Sequence, residues 1–279
     1  MSVSAFLRIT RPHNAIVAGL TALLGYLIAT GTLTVPSLLL AVIVALITAG
    51  GNVINDIFDI DIDRINRPDR PLPAGKISPG AAKTYALALF LSGIVLAALT
   101  TPLCLAIALI NSAILVAYAA RLKRTPLIGN VAVAYLTASV FLFGGAFAGV
   151  FGLISNLSLA AITLLATLSR EVLKDAEDVE GDAAGGARTL PMIIGIRRTG
   201  VFAFACACCA VAVSLLPFGR WWGGFYLAGI AVVDTVILAG AARGAGCTRP
   251  DCVRASRATS ILRAGMFAAL AVFAIAAAI

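Results

Sequence analysis

The chain has 279 residues, of which 61% are hydrophobic and 12% charged, with a mean hydropathy of +1.02. Soluble domains carry about 25% charged and about 45–50% apolar residues, so a soluble enzyme, a disordered chain and a disulfide-framed secreted protein are excluded. The net charge of +8, from 21 basic and 13 acidic residues, points to orientation in a bilayer and not to nucleic acid, because cytoplasmic loops collect Lys and Arg.

Nine apolar runs of membrane-spanning length predict helices at 14–31, 36–57, 80–99, 102–120, 129–150, 156–174, 199–217, 223–242 and 261–279. The expected class is all-α: a polytopic membrane protein. All eleven Pro fall in loops or at span ends, as a helix breaker should. No cleavable signal is expected, since MSVSAFLRITRPHN has no apolar core before Arg8. Cys104, Cys206, Cys208 and Cys209 read as small hydrophobes. Cys247 and Cys252 match no zinc spacing, and no disulfide is expected of them.

Charge orients the spans. With the amino terminus in the cytoplasm, 20 of the 21 basic residues lie in inner segments and only Arg220 lies outside. The carboxyl terminus is then outside, and Trp221, Trp222 and Tyr226 form an aromatic anchor at the outer interface. Twelve of the thirteen acids are also inside, eleven of them in the loops after the second and sixth spans. The thirteenth, Asp234, lies within a span. A charge at the bilayer centre costs about 2.5–3.5 kcal/mol, so Asp234 must face the bundle with a partner or be protonated.

The two acidic loops repeat one another. Asp56, Asp59 and Asp63 are spaced three and four apart, and so are Asp175, Asp178 and Asp182. Each triplet is followed by Arg-x-Leu-Pro, at Arg70–Pro73 and at Arg188–Pro191, and the triplets lie 175 − 56 = 119 residues apart. This reads as one transmembrane domain, 1–279, made of pseudo-repeat halves of about 1–120 and 121–279. Spacing of three and four puts carboxylates on one helix face, where they repel one another unless a cation joins them. Mg²⁺ binds through carboxylates and substrate phosphates. Facing carboxylate sets suit a diphosphate, with Arg64, Arg67, Arg70, Lys123, Arg124 and Lys174 as phosphate contacts.

A diphosphate at the mouth of an apolar bundle suggests a prenyl diphosphate. Its allylic C–O bond ionises when a metal neutralises the leaving charge, and a dry cavity protects the cation. Tyr118, Tyr135, Phe141 and Phe143 are candidate aromatic faces for it. Asn52, one turn before Asp56, shares its face and is expected to point into the cavity.

Both segments resemble the signature motifs of the UbiA-type intramembrane prenyltransferases. N-D-x-x-D-x-x-x-D is matched by Asn55, Asp56, Asp59 and Asp63, and D-x-x-D-x-x-x-D by Asp175, Asp178 and Asp182. The resemblance implies nine helices around a central cavity, capped on the cytoplasmic side, and Mg²⁺-dependent prenyl transfer in a cell membrane. It also gives Lys123, after Tyr118, a part in diphosphate binding, and Asn14 a cavity contact, with an N-cap as the alternative. N-R-P-D-R-P-L-P-A-G-K-I-S, L-K-R-T-P-L-I-G-N and K-D-A-E-D-V-E-G-D are similar to members of the family that build archaeal ether lipid. These imply transfer of a geranylgeranyl group from its diphosphate to the hydroxyl of a lipid-like glyceryl phosphate. No nucleic acid or obligate protein partner is implied.

Two other readings remain at this point. One makes the acceptor an aromatic ring, as in quinone, haem or chlorophyll side-chain attachment, by the same ionisation. A cation-coupled transporter is disfavoured, because its ion site would lie near the midplane on broken helices, whereas these acids sit at span ends. His13 is read as interfacial, Gly145-x-x-x-Gly149 as close helix packing, and Arg249, Arg254, Arg257 and Arg263 as a topology signal.

Overall fold

The computed structural model describes residues 3–219 and 222–279. Arg220 and Trp221 lie outside the described residues. Among those described, the secondary structure is helical, and eight helices are long and apolar enough to cross a membrane. The described residues fall into two compact units. One runs to Arg121 and includes Val140–Ser155; the other takes Leu122–Ser139 and Asn156–Ile279.

The first unit holds α1 (Val3–Ile9), α2 (Pro12–Thr30), α3 (Leu38–Phe58), α4 (Ile60–Asn66), α5 (Pro79–Ala98) and α6 (Pro102–Ala120). It also takes the end of α7 (Ile128–Phe147) and α8 (Val150–Ser155). Helix starts follow the prolines. Ser78 caps α5 by accepting from the Ala81 amide at 3.2 Å, and Thr101 caps α6 through the Cys104 amide at 3.2 Å. In each case Pro fills the first helical position, where its missing N–H costs nothing.

Leu40, Ile43, Val44 and Ile47 line one face of α3 at helical spacing. They pack with Ala22, Phe90, Cys104, Ala108, Phe143 and Ala146. Ala49 and Val53, further along α3, join a second cluster with Ala5, Ile9, Leu72, Ile77 and Leu89. That cluster fixes α1 and the loop after α4 beside the end of α3, where the first acidic triplet lies.

Gly145 and Gly149 do not form the expected packing pair. Gly149 sits in the turn before α8 with φ +88°, and the close approach belongs to Gly144, where a Cβ would lie 2.2 Å from the Ala22 carbonyl oxygen. Glycine is demanded at one position by contact and at the other by backbone conformation.

The second unit contains the start of α7, α9 (Leu157–Glu177), α10 (Val179–Ala184), α11 (Leu190–Ile194), α12 (Ile196–Ser214), α13 (Gly224–Ala245), α14 (Pro250–Ser256) and α15 (Ala258–Ala278). Helix α9 packs against α11, α12, α14 and α15. It coincides with the expected sixth span but is the polar one of the set, with Arg170, Glu171, Lys174 and Asp175 in its last turns.

Asp234 has the partner its position requires: the Ser214 hydroxyl donates to its carboxylate at 2.7 Å. Tyr226 is not an exposed anchor. It is 1% exposed, its hydroxyl donates to the Ser214 carbonyl at 2.6 Å, and its ring lies 4.8 Å from Trp222. Burial with a satisfied hydroxyl suits tyrosine as well as an interface does.

Cys247 and Cys252 are joined in a disulfide, contrary to expectation. Folding of α14 back from α13 leaves their Cα atoms 5.5 Å apart, within bonding range. Spacing along the chain did not reveal that approach.

Candidate active site

The two acidic triplets share one local design. Asp56 lies in the last turn of α3, Asp59 at the junction with α4, and Asp63 in α4. Asp175 lies in the last turn of α9, Asp178 at the junction with α10, and Asp182 in α10. The junction residues have nearly the same backbone, φ −95°, ψ 2° at Asp59 and φ −105°, ψ 10° at Asp178. The helical bonds run through both breaks: Asp63 N–H donates to the Asp59 carbonyl at 2.8 Å, and Asp182 N–H to that of Asp178 at 2.9 Å. Each triplet therefore belongs to a bent helix, not a single straight one, and the bend falls on the middle aspartate.

Their surroundings differ. In the first unit Asp56 is 3% exposed, and a buried carboxylate must be paired. Arg11 donates to its Oδ1 at 2.5 Å and Arg70 to the same oxygen at 3.3 Å. Arg70 also donates to Asp63 at 2.5 Å. Asn55 donates to Asp59 at 2.9 Å. Asn52 donates its amide to the Thr10 carbonyl at 2.9 Å, which ties down the amino-terminal segment.

Arg64 forms an exposed pair with Asp61 at 2.8 Å, and Arg67 and Asn14 are exposed. Arg8 and Asp69 form another exposed pair at 2.6 Å, whose hydrogen bond holds the Asp69 carboxyl below its usual range. Tyr118 is half-buried.

In the second unit Asp175 accepts from the amide of Asn130, 7% exposed, at 2.9 Å. Burial raises the Asp175 carboxyl to about 7, with Asp182 and Glu171 adding to the rise. Burial also raises Asp182, and Asp178 reinforces it. Lys174, Arg124 and Asp178 are exposed, and Lys123 and Tyr135 are half-buried. Phe141 and Phe143 are buried, and Phe143 packs in the first unit's core.

Arg170 pairs with Glu171 within α9. Glu177 takes the Thr259 hydroxyl at 2.8 Å, and Arg254 donates to the Glu177 carbonyl at 2.9 Å. Arg254 thus closes the carboxyl end of α9, where a cation suits the helix dipole. It is a structural ligand as well as a loop charge.

Asn130 and Arg11 escaped the sequence reading as site residues. Asn130 ends the L-K-R-T-P-L-I-G-N stretch, a signal that was present but carried no role. Arg11 precedes Pro12 and read only as an inner-side charge.

The donor set is all oxygen, which suits a hard divalent cation. Among the described residues no three His, Cys, Asp or Glu side chains stand together as a ligand shell. Asp56 and Asp63 face guanidinium groups instead.

Residues 18–270 match the model of the UbiA prenyltransferase family. A digeranylgeranylglyceryl phosphate synthase of Methanoculleus marisnigri is 79% identical over 279 residues, the full length of both chains. A solved structure concerning digeranylgeranylglyceryl phosphate synthase in membranes is 36% identical, with a TM-score of 0.88 over 99% of this chain and 98% of that one. A UbiA homolog from Archaeoglobus fulgidus, bound to GPP and Mg²⁺, shares the fold at 19% identity, with a TM-score of 0.65 over 96% of this chain and 99% of that one. The chain belongs to the UbiA prenyltransferase family.

Proposed function

We propose that the chain transfers a geranylgeranyl group from geranylgeranyl diphosphate to the hydroxyl of geranylgeranylglyceryl phosphate. The second ether bond of archaeal membrane lipid forms and diphosphate leaves. The observation that carries this reading is the 79% identity, end to end, with the Methanoculleus marisnigri relative of that name.

The allylic C–O bond breaks, the acceptor oxygen bonds to the same carbon, and the hydroxyl gives up its proton. Asp56, Asp59 and Asp63, and separately Asp175, Asp178 and Asp182, are the proposed ligands of Mg²⁺, the ion held by the Archaeoglobus fulgidus homolog. When bound, the ion supplies Lewis-acid neutralisation of the leaving charge.

Arg64, Arg67, Arg70, Lys123, Arg124 and Lys174 bind phosphate oxygens, Arg in the bidentate manner its planar fork allows. Asn14, Asn52 and Asn55 orient the polar groups around the first triplet, and Tyr118 and Tyr135 offer aromatic faces. Apolar spans keep water from the carbocation.

The finer topology belongs to the same reading. Helix α9 is the ninth crossing, polar because packing against the other helices of its unit, α12 and α15 foremost, shields it. The 20-to-1 charge split supports placing the amino terminus and the acidic junctions on the cytoplasmic side of the cell membrane.

The test offers labelled geranylgeranyl diphosphate to the purified chain with geranylgeranylglyceryl phosphate or with 4-hydroxybenzoate. Label is expected in the glyceryl ether alone, and EDTA is expected to abolish it until Mg²⁺ is restored. Label in the aromatic acid alone would transfer the assignment to an aromatic acceptor.

A further inference from the structure

Two guanidinium groups meet on one oxygen of Asp56, and their attachments are unequal. Arg70 bridges Asp56 and Asp63 and its side chain is 16% exposed. Among the described residues Arg11 pairs with Asp56 alone, and its side chain is 30% exposed. Releasing Arg11 therefore breaks one ion pair and leaves Asp56 still paired to Arg70.

The backbone beneath Arg11 is fixed independently of that ion pair. Arg11 adopts φ 50°, ψ 67° just before Pro12; its N–H donates to the Arg8 carbonyl at 3.3 Å and its carbonyl accepts from the Asn14 N–H at 3.0 Å. The Arg8–Asp69 pair and the Asn52–Thr10 bond tie down the residues just before Arg11. The side chain can swing without moving the chain.

We propose that Arg11 competes with a divalent cation for Asp56 and, once displaced, becomes a ligand of the diphosphate. The inference rests on the reading of Asp56 as a metal ligand. Carboxylate and guanidinium are matched in charge, so while paired Arg11 offers little to an anion. When Asp56 turns to a cation, Arg11 regains its full charge beside the anion's binding place, and its fork is suited to phosphate oxygens. Cation and anion binding are thereby coupled through one side chain.

A structural role and a competing role give opposite signs, and calorimetry on the full-length protein in detergent separates them. The probes are Mg²⁺ alone, then inorganic pyrophosphate at saturating Mg²⁺. Arg11→Gln is expected to bind Mg²⁺ about tenfold tighter, because the rival for Asp56 is gone, and pyrophosphate about tenfold weaker. Arg11→Lys keeps the charge but loses the fork, and is expected to shift both affinities in the same directions by less, so it carries the test if the Gln variant does not fold.

Mg²⁺ binding that is unchanged or weaker in the variants, while the parent chain binds Mg²⁺, would overturn the inference alone. A parent chain that binds no Mg²⁺ would overturn the metal-site reading, and this inference with it.

Discussion

At the scale of single residues, burial decides which charges matter. Arg70 and Arg64 look alike in the sequence, two basic residues in one acidic loop. Arg70 holds two buried carboxylates, whereas Arg64 pairs with Asp61 in the open. Removing one partner of a buried pair costs about 3–5 kcal/mol, and an exposed pair contributes about 0–1 kcal/mol. Thermal unfolding in detergent is therefore expected to show Arg70→Ala destabilised by about 3 kcal/mol and Arg64→Ala changed by less than about 0.5 kcal/mol.

The Arg8–Asp69 pair has its own pH signature. Its hydrogen bond lowers the Asp69 carboxyl below 3.8. A depressed folded-state value stabilises above the unfolded value, and the benefit disappears as pH falls through the folded one. Arg8→Gln should therefore melt slightly below the parent at pH 7 and together with it in strong acid. A gap that persists in acid would mean Arg8 acts through something other than Asp69. Neither contrast was legible in the sequence, because exposure and partner choice depend on the folding of α1 beside α3.

At the scale of elements, the spacing of the triplets was legible and their shape was not. Spacing of three and four fits any helix, and nothing in Asp59 or Asp178 marks a break, since neither is glycine or proline. The shared break shows itself only in the backbone, where two 21-residue helices, α3 and α9, end one residue before their middle aspartates. Small-residue patterns mislead in a similar way. Gly145-x-x-x-Gly149 fits a packing motif, yet the contact is made by Gly144 against Ala22, because the phase of a helix against its neighbour is set by the whole interface.

Gly144→Ala should lower stability by about 1–3 kcal/mol, the cost of overpacking. Gly80→Ala is the control. A Cβ there meets nothing within 4 Å, and replacing a helical glycine should raise stability by up to about 1 kcal/mol. Unfolding midpoints that move together would contradict the contact argument.

At the scale of the whole chain, composition revealed most. The apolar runs anticipated all eight helices that, among the described residues, are long and apolar enough to span, because a bilayer demands length and hydropathy of each segment separately. Helix α9 is the exception that composition handles least well. Arg170, Glu171, Lys174 and Asp175 fall in its last turns and lower the hydropathy of the whole element. The Cys247–Cys252 bond was hidden for the opposite reason: it depends on where α14 returns after α13.

The two matched junctions bear on one central claim, that both acidic triplets serve departure of the diphosphate. The most direct measurement is single-turnover release of diphosphate from geranylgeranyl diphosphate by Asp59→Asn and by Asp178→Asn, each first shown to be folded in detergent. The account expects each substitution to slow release by about a hundred- to a thousandfold; a parent-like rate in either variant would contradict it.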